Sequence, residues 1–255
     1  MAGKPGHKRV VAVVQARMRS QRLPGKVLAA IHGRPMLARV VDRAGRAERL
    51  DAVVVATSTE AADDPIALAC ESMGFDCSRG SSSDVLDRVF GAARRARADV
   101  VVRITADCPL IDPGLIDQAV AVYLDANPAW DLVANRLPEG RDFPIGLDLE
   151  VCGMAPLAAA WAEAVEPHQR EHVLPFLYEN RERFRVHRLR HQPPLGDLRW
   201  TVDEPEDLEL IRRVFAHFGG RDDFSWLEVV ALFELQPDLR AINAGVVHKT
   251  HRDVG

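Results

Sequence analysis

The segment Val10–Lys26, VVAVVQARMRSQRLPGK, decides the fold class of this chain. Its first five residues are apolar and mostly β-branched, which predicts a buried strand. The loop that follows carries Arg17, Arg19, Arg22 and Lys26, and its direction is set by a Pro-Gly pair. Ligands of open α/β sheets bind beyond the carboxyl ends of the strands, and guanidinium groups bind phosphate in a bidentate manner. The segment therefore predicts a polyanion site at the end of a core strand.

Strand-like and helix-like segments alternate on the C-terminal side of this strand. The βαβαβα order predicts an α/β fold with a mostly parallel, doubly wound sheet. Further strands are predicted over 52–56, 99–104, 147–151, 184–189 and 198–202. Helices are predicted over 35–47, 65–73, about 84–98, 113–125, 166–180 (interrupted at Pro175), 204–218 and 225–235.

Bulk properties restrict the class of protein. The 255 residues predict a single domain over 1–255, with a smaller, half-embedded lobe at about 135–195. A net charge of −4 argues against a nucleic-acid partner, and no apolar run approaches the length of a membrane span. Four cysteines without a C-x-x-C pair favour a reducing compartment, so we expect a cytoplasmic protein.

The basic loop lacks the known phosphate-loop patterns. No glycine stands at the required position upstream of Gly25-Lys26, and Val27 replaces the Ser or Thr of a Walker loop. There is also no G-x-G-x-x-G motif. Phosphate contacts would therefore come from side chains together with some backbone N–H groups, unless the loop is only a solvated cluster of charges.

Two aspartates follow predicted strands, Asp107 within RITADCPL and Asp203 within WTVDEPED. Carboxylate oxygens suit Mg²⁺, which proteins hold through one or two carboxylates plus substrate phosphate. Turn formation at Asp107 and helix capping at Asp203 explain the same residues without a metal. The two could share one ion only if their strands are neighbours, which the sequence leaves open.

Three further patterns carry weaker signals. Asp148 and Glu150 alternate with apolar residues, as a strand offering acceptors to a polyol or a solvated edge would. The segment 168–172 fits H-x-x-E-H, the inverted zinc-protease signature, but Pro175 disturbs the helix that this site needs. The basic stretch 181–190 suggests RNA, although a charged edge strand explains it more simply.

Taken together, the blocks Gln15–Leu28, Arg79–Phe90, Arg103–Leu110 and Arg199–Leu208 resemble the cytidylyltransferase family, in the family's order. This family includes CMP-KDO synthetases, CMP-sialic acid synthetases and spore coat polysaccharide biosynthesis proteins, and the similarity is greatest to the spore-coat branch. The resemblance implies a Rossmann-like fold of the nucleotide-diphospho-sugar transferase type, a homodimer, CTP as co-substrate and Mg²⁺ as cofactor. It also implies that the smaller lobe at about 135–195 serves acceptor binding and dimerisation. Two positions depart from the pattern, because Arg19 and Ala106 stand where glycine is common.

The resemblance also implies roles for individual residues. Arg17, Arg22, Lys26, Asp107 and Asp203 would be catalytic, and the two aspartates would hold the metal. The acceptor would contact Gly146, Asp148, Glu150, Arg170 and His172. The nucleotide would contact Gln15, Ala16, Arg17, Ser20, Arg22, Lys26, Arg79, Gly80, Ser81, Asp84, Arg88 and Arg103.

The predicted reaction is transfer of CMP from CTP to an acidic sugar of the 3-deoxy-2-keto type, with release of pyrophosphate. One alternative keeps this chemistry and changes the acceptor to a phosphonate or another acid. A second is a glycosyltransferase-like protein that binds a nucleotide sugar. A third is a zinc hydrolase that uses His168 and His172.

Overall fold

A computed structural model describes residues 7–247. Its ten α-helices over this range alternate with eleven short strands, and two 3₁₀ turns lie at Lys26–Leu28 and Ala61–Asp63. The strands are β1 Val10–Gln15, β2 Ala30–Ile31, β3 Arg34–Pro35, β4 Ala52–Ser58, β5 Asp76–Gly80, β6 Val100–Thr105, β7 Leu132–Ala134, β8 Arg136–Leu137, β9 Gly140–Arg141, β10 Glu150–Gly153 and β11 Val186–Arg188. The helices are α1 Met36–Ala44, α2 Asp64–Met73, α3 Val85–Arg95, α4 Pro113–Leu124, α5 Met154–Glu163, α6 Pro167–His172, α7 Pro175–Glu179, α8 Pro205–His217, α9 Trp226–Leu235 and α10 Leu239–Ile242.

Seven strands form one central sheet in the order β11-β7-β10-β6-β1-β4-β5. Strand β1 pairs in parallel with β4 and β6, while β10 runs antiparallel to both of its neighbours. The remaining pairs, β4 with β5 and β7 with β11, are parallel. The prediction of an α/β fold with a mixed, mostly parallel sheet is therefore confirmed.

Helices cover both faces of the sheet. Alternate residues of β1 enter two separate apolar cores: Ala12 and Val14 belong to one, and Val11 and Val13 to the other. The first core is completed by α1, α4, α8 and α9, and the second by α3, α5 and α7. A strand buried on both faces reads as a continuous apolar run, which explains why residues 10–14 predict it so clearly.

Several elements differ from the predictions. Strand β5 was not predicted, because it is an edge strand of polar sequence, Asp-Cys-Ser-Arg-Gly. Strand β7 was not predicted because it is only three residues long. Helix α5 was not predicted because its alanine-rich sequence lacks a polar–apolar period. The helix predicted over 166–180 is two helices, because Val173 adopts a φ of 75° just before Pro175. The predicted strand 198–202 is reduced to a single bridge between Ile145 and Arg199.

The segment predicted as a smaller lobe contributes to the same sheet. Strands β10 and β11 lie within it and extend the sheet beyond β6, whereas β8 and β9 form a separate hairpin. Its role in dimerisation stays a prediction. Within residues 7–247, no helix combines the length and apolar character needed to cross a membrane.

Candidate functional site

The basic loop lies at the carboxyl end of β1, beside the end of β6. Gln15 and Thr105 are register partners at these two strand ends. The loop closes on itself through a hydrogen bond from Gly25 N to Met18 O (3.0 Å), and Gly25 adopts a φ of 71°. Its first half is tied to the body by Asp63, which accepts a hydrogen bond from Met18 N (2.7 Å). These constraints hold the loop over the sheet edge.

Lys26 brings the two strand-end aspartates together. Its ammonium donates to Asp107 Oδ2 at 2.9 Å, to Asp203 Oδ1 at 2.8 Å and to the carbonyl oxygen of Val202 at 2.7 Å. An ammonium has three N–H donors, so all of them are used. Segment 198–203 reaches this position because Val202 N donates to Asp107 O at 2.9 Å. The structure therefore places Asp107 and Asp203 close together, a point that the sequence left open.

The surroundings of Asp203 shift the pKa of its carboxylate. Burial alone raises its pKa, but the adjacent charges of Lys26 and Arg22, with a hydrogen bond from Arg199, outweigh burial and lower the pKa to about 2. Burial also opposes the charge of Lys26, yet Asp107 and Asp203 outweigh it and raise the lysine pKa. Lys26 and Asp203 are thus both charged near neutral pH.

The loop lines a cavity of about 870 Å³. Arg88 lies in its wall with 3% of its surface exposed, and its Nε–H has no hydrogen-bond partner within the described residues. A buried guanidinium with an unused donor is suited to an anionic or strongly polar ligand. The predicted site residues that line this cavity are Gln15, Ala16, Arg17, Ser20, Arg22, Lys26, Arg88, Asp107 and Asp203.

Four other residues of the predicted nucleotide set, Arg79, Gly80, Ser81 and Asp84, do not line this cavity. Asp84 caps α3 by accepting from Asp87 N (2.9 Å), and Ser81 Oγ accepts from Asp84 N (3.1 Å). Gly80 packs close to Arg88, since a Cβ there would lie 3.2 Å from the Arg88 Cα. Arg79 donates to the backbone oxygens of Ser58 and Glu60 at 2.8 and 3.0 Å.

A second cavity, of about 240 Å³, adjoins the first. Gln15, Arg17, Thr105 and Glu171 line both, and Arg17 pairs with Glu171 at 3.2 Å. The second cavity contains Arg103 from the predicted nucleotide set and Asp148, Glu150 and His172 from the predicted acceptor set. Arg136 and Tyr178 also line it, and sequence reasoning did not find them.

Gly146 and Arg170, both predicted acceptor contacts, have structural partners. Gly146 has a φ of 104° and lies against the backbone of Trp200 and Thr201. Arg170 bridges Asp84 Oδ2 and the carbonyl oxygen of Trp161. Neither is among the residues that line the two cavities.

Two side chains of the H-x-x-E-H segment contact charged side chains elsewhere in the chain. His168 Nε2 contacts Glu179 Oε1 at 2.8 Å, and Glu171 pairs with Arg17. Within residues 7–247, no group of three His, Cys, Asp or Glu side chains is placed to hold one metal ion. This geometry offers no support for a zinc hydrolase.

Comparison with known proteins identifies the family. Residues 11–214 match the cytidylyltransferase family model. The chain belongs to the cytidylyltransferase family. It is therefore a nucleotidyltransferase, and enzymes of this family bind CTP and a small-molecule substrate.

Individual relatives agree with this assignment. An uncharacterized Methanocaldococcus jannaschii protein, MJ1063, is 34% identical over 96% of this chain and 99% of its own length. The Bacillus subtilis spore coat polysaccharide biosynthesis protein SpsF is 31% identical over 90% of this chain and 95% of its own. A 3-deoxy-manno-octulosonate cytidylyltransferase from Geobacter metallireducens is 33% identical over 53% of each chain. A solved cytidylyltransferase from Leptospira borgpetersenii superposes with a TM-score of 0.87, at 28% identity, over 95% of this chain and 100% of its own.

Proposed function

We propose that this cytidylyltransferase transfers CMP from CTP to an acidic sugar of the 3-deoxy-2-keto type and releases pyrophosphate. The observation that carries the proposal is the pair of adjoining cavities with a common wall at Arg17 and Glu171. The larger cavity has the volume and cationic lining for a nucleoside triphosphate, and the smaller one has polar groups for an acceptor. Similarity to a 3-deoxy-manno-octulosonate cytidylyltransferase supports the acceptor class.

In the proposed reaction, an acceptor hydroxyl oxygen attacks the α-phosphorus of CTP. A new P–O bond forms, and the hydroxyl proton passes to water. The bond from the α-phosphorus to the oxygen that bridges the α- and β-phosphates breaks, and its electron pair leaves with pyrophosphate. Positioning and cationic stabilisation supply most of the catalysis of such transfers. Arg17, Arg22 and Lys26 of the loop would offset the charge on the β- and γ-phosphates.

We propose Mg²⁺ as the cofactor, held by Asp107 and Asp203. The residues fit this ion, because oxygens of both carboxylates lie within 2.9 Å of one point, the Lys26 Nζ. Two carboxylates plus substrate phosphate form an ordinary protein site for magnesium. The bound ion would supply Lewis-acid stabilisation of charge on the phosphoryl oxygens.

The test is a pyrophosphate-release assay with each of CTP, UTP, ATP and GTP, Mg²⁺ and a panel of sugar acids and phosphonates. We expect release only with CTP and an acid. Asp107→Asn should reduce turnover at least 100-fold, as loss of preorganised electrostatic contacts does. Arg213→Gln, on an exposed face of α8, is the matched control and should leave turnover unchanged.

Other results would redirect the proposal. Turnover of a phosphonate alone would change the acceptor class and keep the chemistry. Hydrolysis or glycosyl transfer from a nucleotide sugar, without pyrophosphate release from CTP, would contradict it. Full Mg²⁺-dependent activity of Asp107→Asn would remove Asp107 from the metal site.

We also propose a cytoplasmic homodimer that acts in polysaccharide biosynthesis. The four free cysteines, Cys70, Cys77, Cys108 and Cys152, support a reducing compartment. The exposed apolar side chains of Trp161 and Val165 lie in the predicted dimerisation lobe. The spore coat relative supports the pathway class. Sedimentation equilibrium of the purified enzyme tests the assembly.

A further inference from the structure

We propose that Arg136 binds the anionic group of the acceptor and so selects an acid over a neutral sugar. This inference rests on the proposed function and assigns a residue to its acceptor specificity. Arg136 opens the β8–β9 hairpin, is half-buried and lines the smaller cavity. The guanidinium makes no hydrogen bond or ion pair to any side chain or backbone group in residues 7–247.

Of the three arginines that line the smaller cavity, Arg136 is the one without a carboxylate partner in residues 7–247. Three arginines and three acids line this cavity. A carboxylate that is already paired with a guanidinium adds little net field, because the two charges largely cancel at a distance. Each acid has such a partner: Glu171 has Arg17 at 3.2 Å, Glu150 has Arg103 at 2.5 Å, and Asp148 has Arg141, which lies outside the lining, at 3.0 Å.

The backbone that carries Arg136 is rigidly held. The preceding residue, Asn135, is fully buried. Its Nδ2 donates to Leu147 O at 2.7 Å, and its Oδ1 accepts from Leu149 N at 3.0 Å. These bonds fix the start of the hairpin to the segment that presents Asp148. Positioning by a buried, fully satisfied amide favours a binding role over a mobile surface charge.

Tyr178 supplies a neutral donor in the same cavity. Burial raises the pKa of its phenol, and the nearby Glu150 raises it further, so the hydroxyl stays protonated. The phenol makes no hydrogen bond within the described part of the chain. A free guanidinium and a free phenol in one cavity suit the two oxygens of a carboxylate, or the oxygens of a phosphonate.

The experiment compares a charged acceptor with its neutral analogue. Pyrophosphate release is measured with 3-deoxy-manno-octulosonate and with its methyl ester, which removes the charge and keeps the sugar. N-acetylneuraminate and 2-aminoethylphosphonate are tested in parallel. Arg136→Gln removes the charge, Arg136→Lys retains it, and Arg181→Gln, an exposed position of the same lobe paired with Glu139, is the control.

We expect the wild-type enzyme to prefer the acid over the ester by roughly 10- to 100-fold in kcat/KM, the range for charge-assisted hydrogen bonds. In Arg136→Gln this ratio should fall to about one, through a higher KM for the acid, with the KM for CTP unchanged. Arg136→Lys should keep a preference of several-fold, and Arg181→Gln should match the wild type.

The outcomes separate this inference from the proposed function. If Arg136→Gln, folded by its thermal melt, retains the acid preference, or loses activity on acid and ester equally, Arg136 does not select the anion and CMP transfer stands. If the wild-type enzyme releases pyrophosphate with none of the three acids, the proposed function fails and this inference with it. If Arg136→Gln fails to fold, the Arg136→Lys ratio decides: a reduced acid preference in that folded variant supports the inference, and a ratio equal to that of the wild type overturns it.

Discussion

At the scale of single residues, the acidic cluster beside Lys26 shows what sequence could and could not predict. Asp107 and Asp203 stand out because each follows an apolar strand-like run. Their contact with one ammonium depends on Val202 pairing with Asp107 O, a tertiary hydrogen bond that no local pattern encodes. Arg136 was missed for the converse reason, since an arginine in a short polar segment is usually a solvated charge.

The lowered pKa of Asp203 predicts how the free energy of unfolding depends on pH. Its pKa is about 2 in the folded protein and near 3.8 when unperturbed, so the stabilisation is present above pH 3.8 and lost as pH falls through 2. We expect the difference in free energy of unfolding between wild type and Asp203→Asn to shrink by about 2 kcal/mol between pH 6 and pH 2. Urea unfolding at several pH values measures it, and a difference independent of pH would contradict the assignment.

At the scale of elements, the predictable part of the fold is the part buried on both sides. Strands β1, β4 and β6 are runs of β-branched residues at the sheet centre, and their pattern identified them. Strands β5 and β7 were missed because one is polar and at an edge and the other is very short. Short strands acquire their conformation from neighbours rather than from propensity.

The close packing of Gly146 predicts that a larger residue here would destabilise the segment between β9 and β10. A Cβ at this position would lie 2.4 Å from Thr201 N, and the φ of 104° is strained for other residues. Gly146→Ala should therefore destabilise the protein by about 3–5 kcal/mol. Gly91→Ala is the control, because Gly91 is inside α3 with no atom within 4 Å of a new Cβ. It should stabilise by about 0.5–1 kcal/mol, as measured by thermal or urea unfolding.

An equal, small effect of both glycine substitutions would show that the backbone around Gly146 relaxes freely. In that case the close approach to Trp200 and Thr201 would not constrain the segment between β9 and β10.

At the scale of the whole molecule, two buried arginines of α1 connect this helix to the segment 220–224, which is distant in sequence. Arg39 donates to Gly220 O (2.8 Å) and Asp222 Oδ2 (2.7 Å). Arg43, fully buried, donates to Ile111 O, Asp222 O and Phe224 O at 2.9–3.0 Å. The segment 220–224 thereby becomes part of the same folding unit as the N-terminal strands, although the family match ends at residue 214.

Arg43→Met should destabilise the whole molecule by about 3 kcal/mol, because three carbonyl oxygens lose their donor in a buried place. Methionine keeps much of the apolar volume of the side chain, so the effect reports hydrogen bonds more than packing. Arg213→Met, with 60% of its side chain exposed, should stay within about 0.5 kcal/mol of wild type. A single cooperative unfolding transition is expected for both; a separate early transition in Arg43→Met would indicate independent unfolding of the C-terminal segment.

The Lys26 ammonium lies as a countercation between Asp107 and Asp203. A divalent ion bound there, as proposed above, would exchange with this resident monovalent charge, and the displaced lysine would need a new anionic partner. Nucleotide phosphate is such a partner, so metal and nucleotide should bind with positive linkage, each strengthening the other. Lys26→Met should bind Mn²⁺ roughly tenfold more tightly than wild type without nucleotide, a gain of about 1.4 kcal/mol measurable by electron paramagnetic resonance, while its turnover falls. In that variant, tight binding of the metal would no longer depend on CTP.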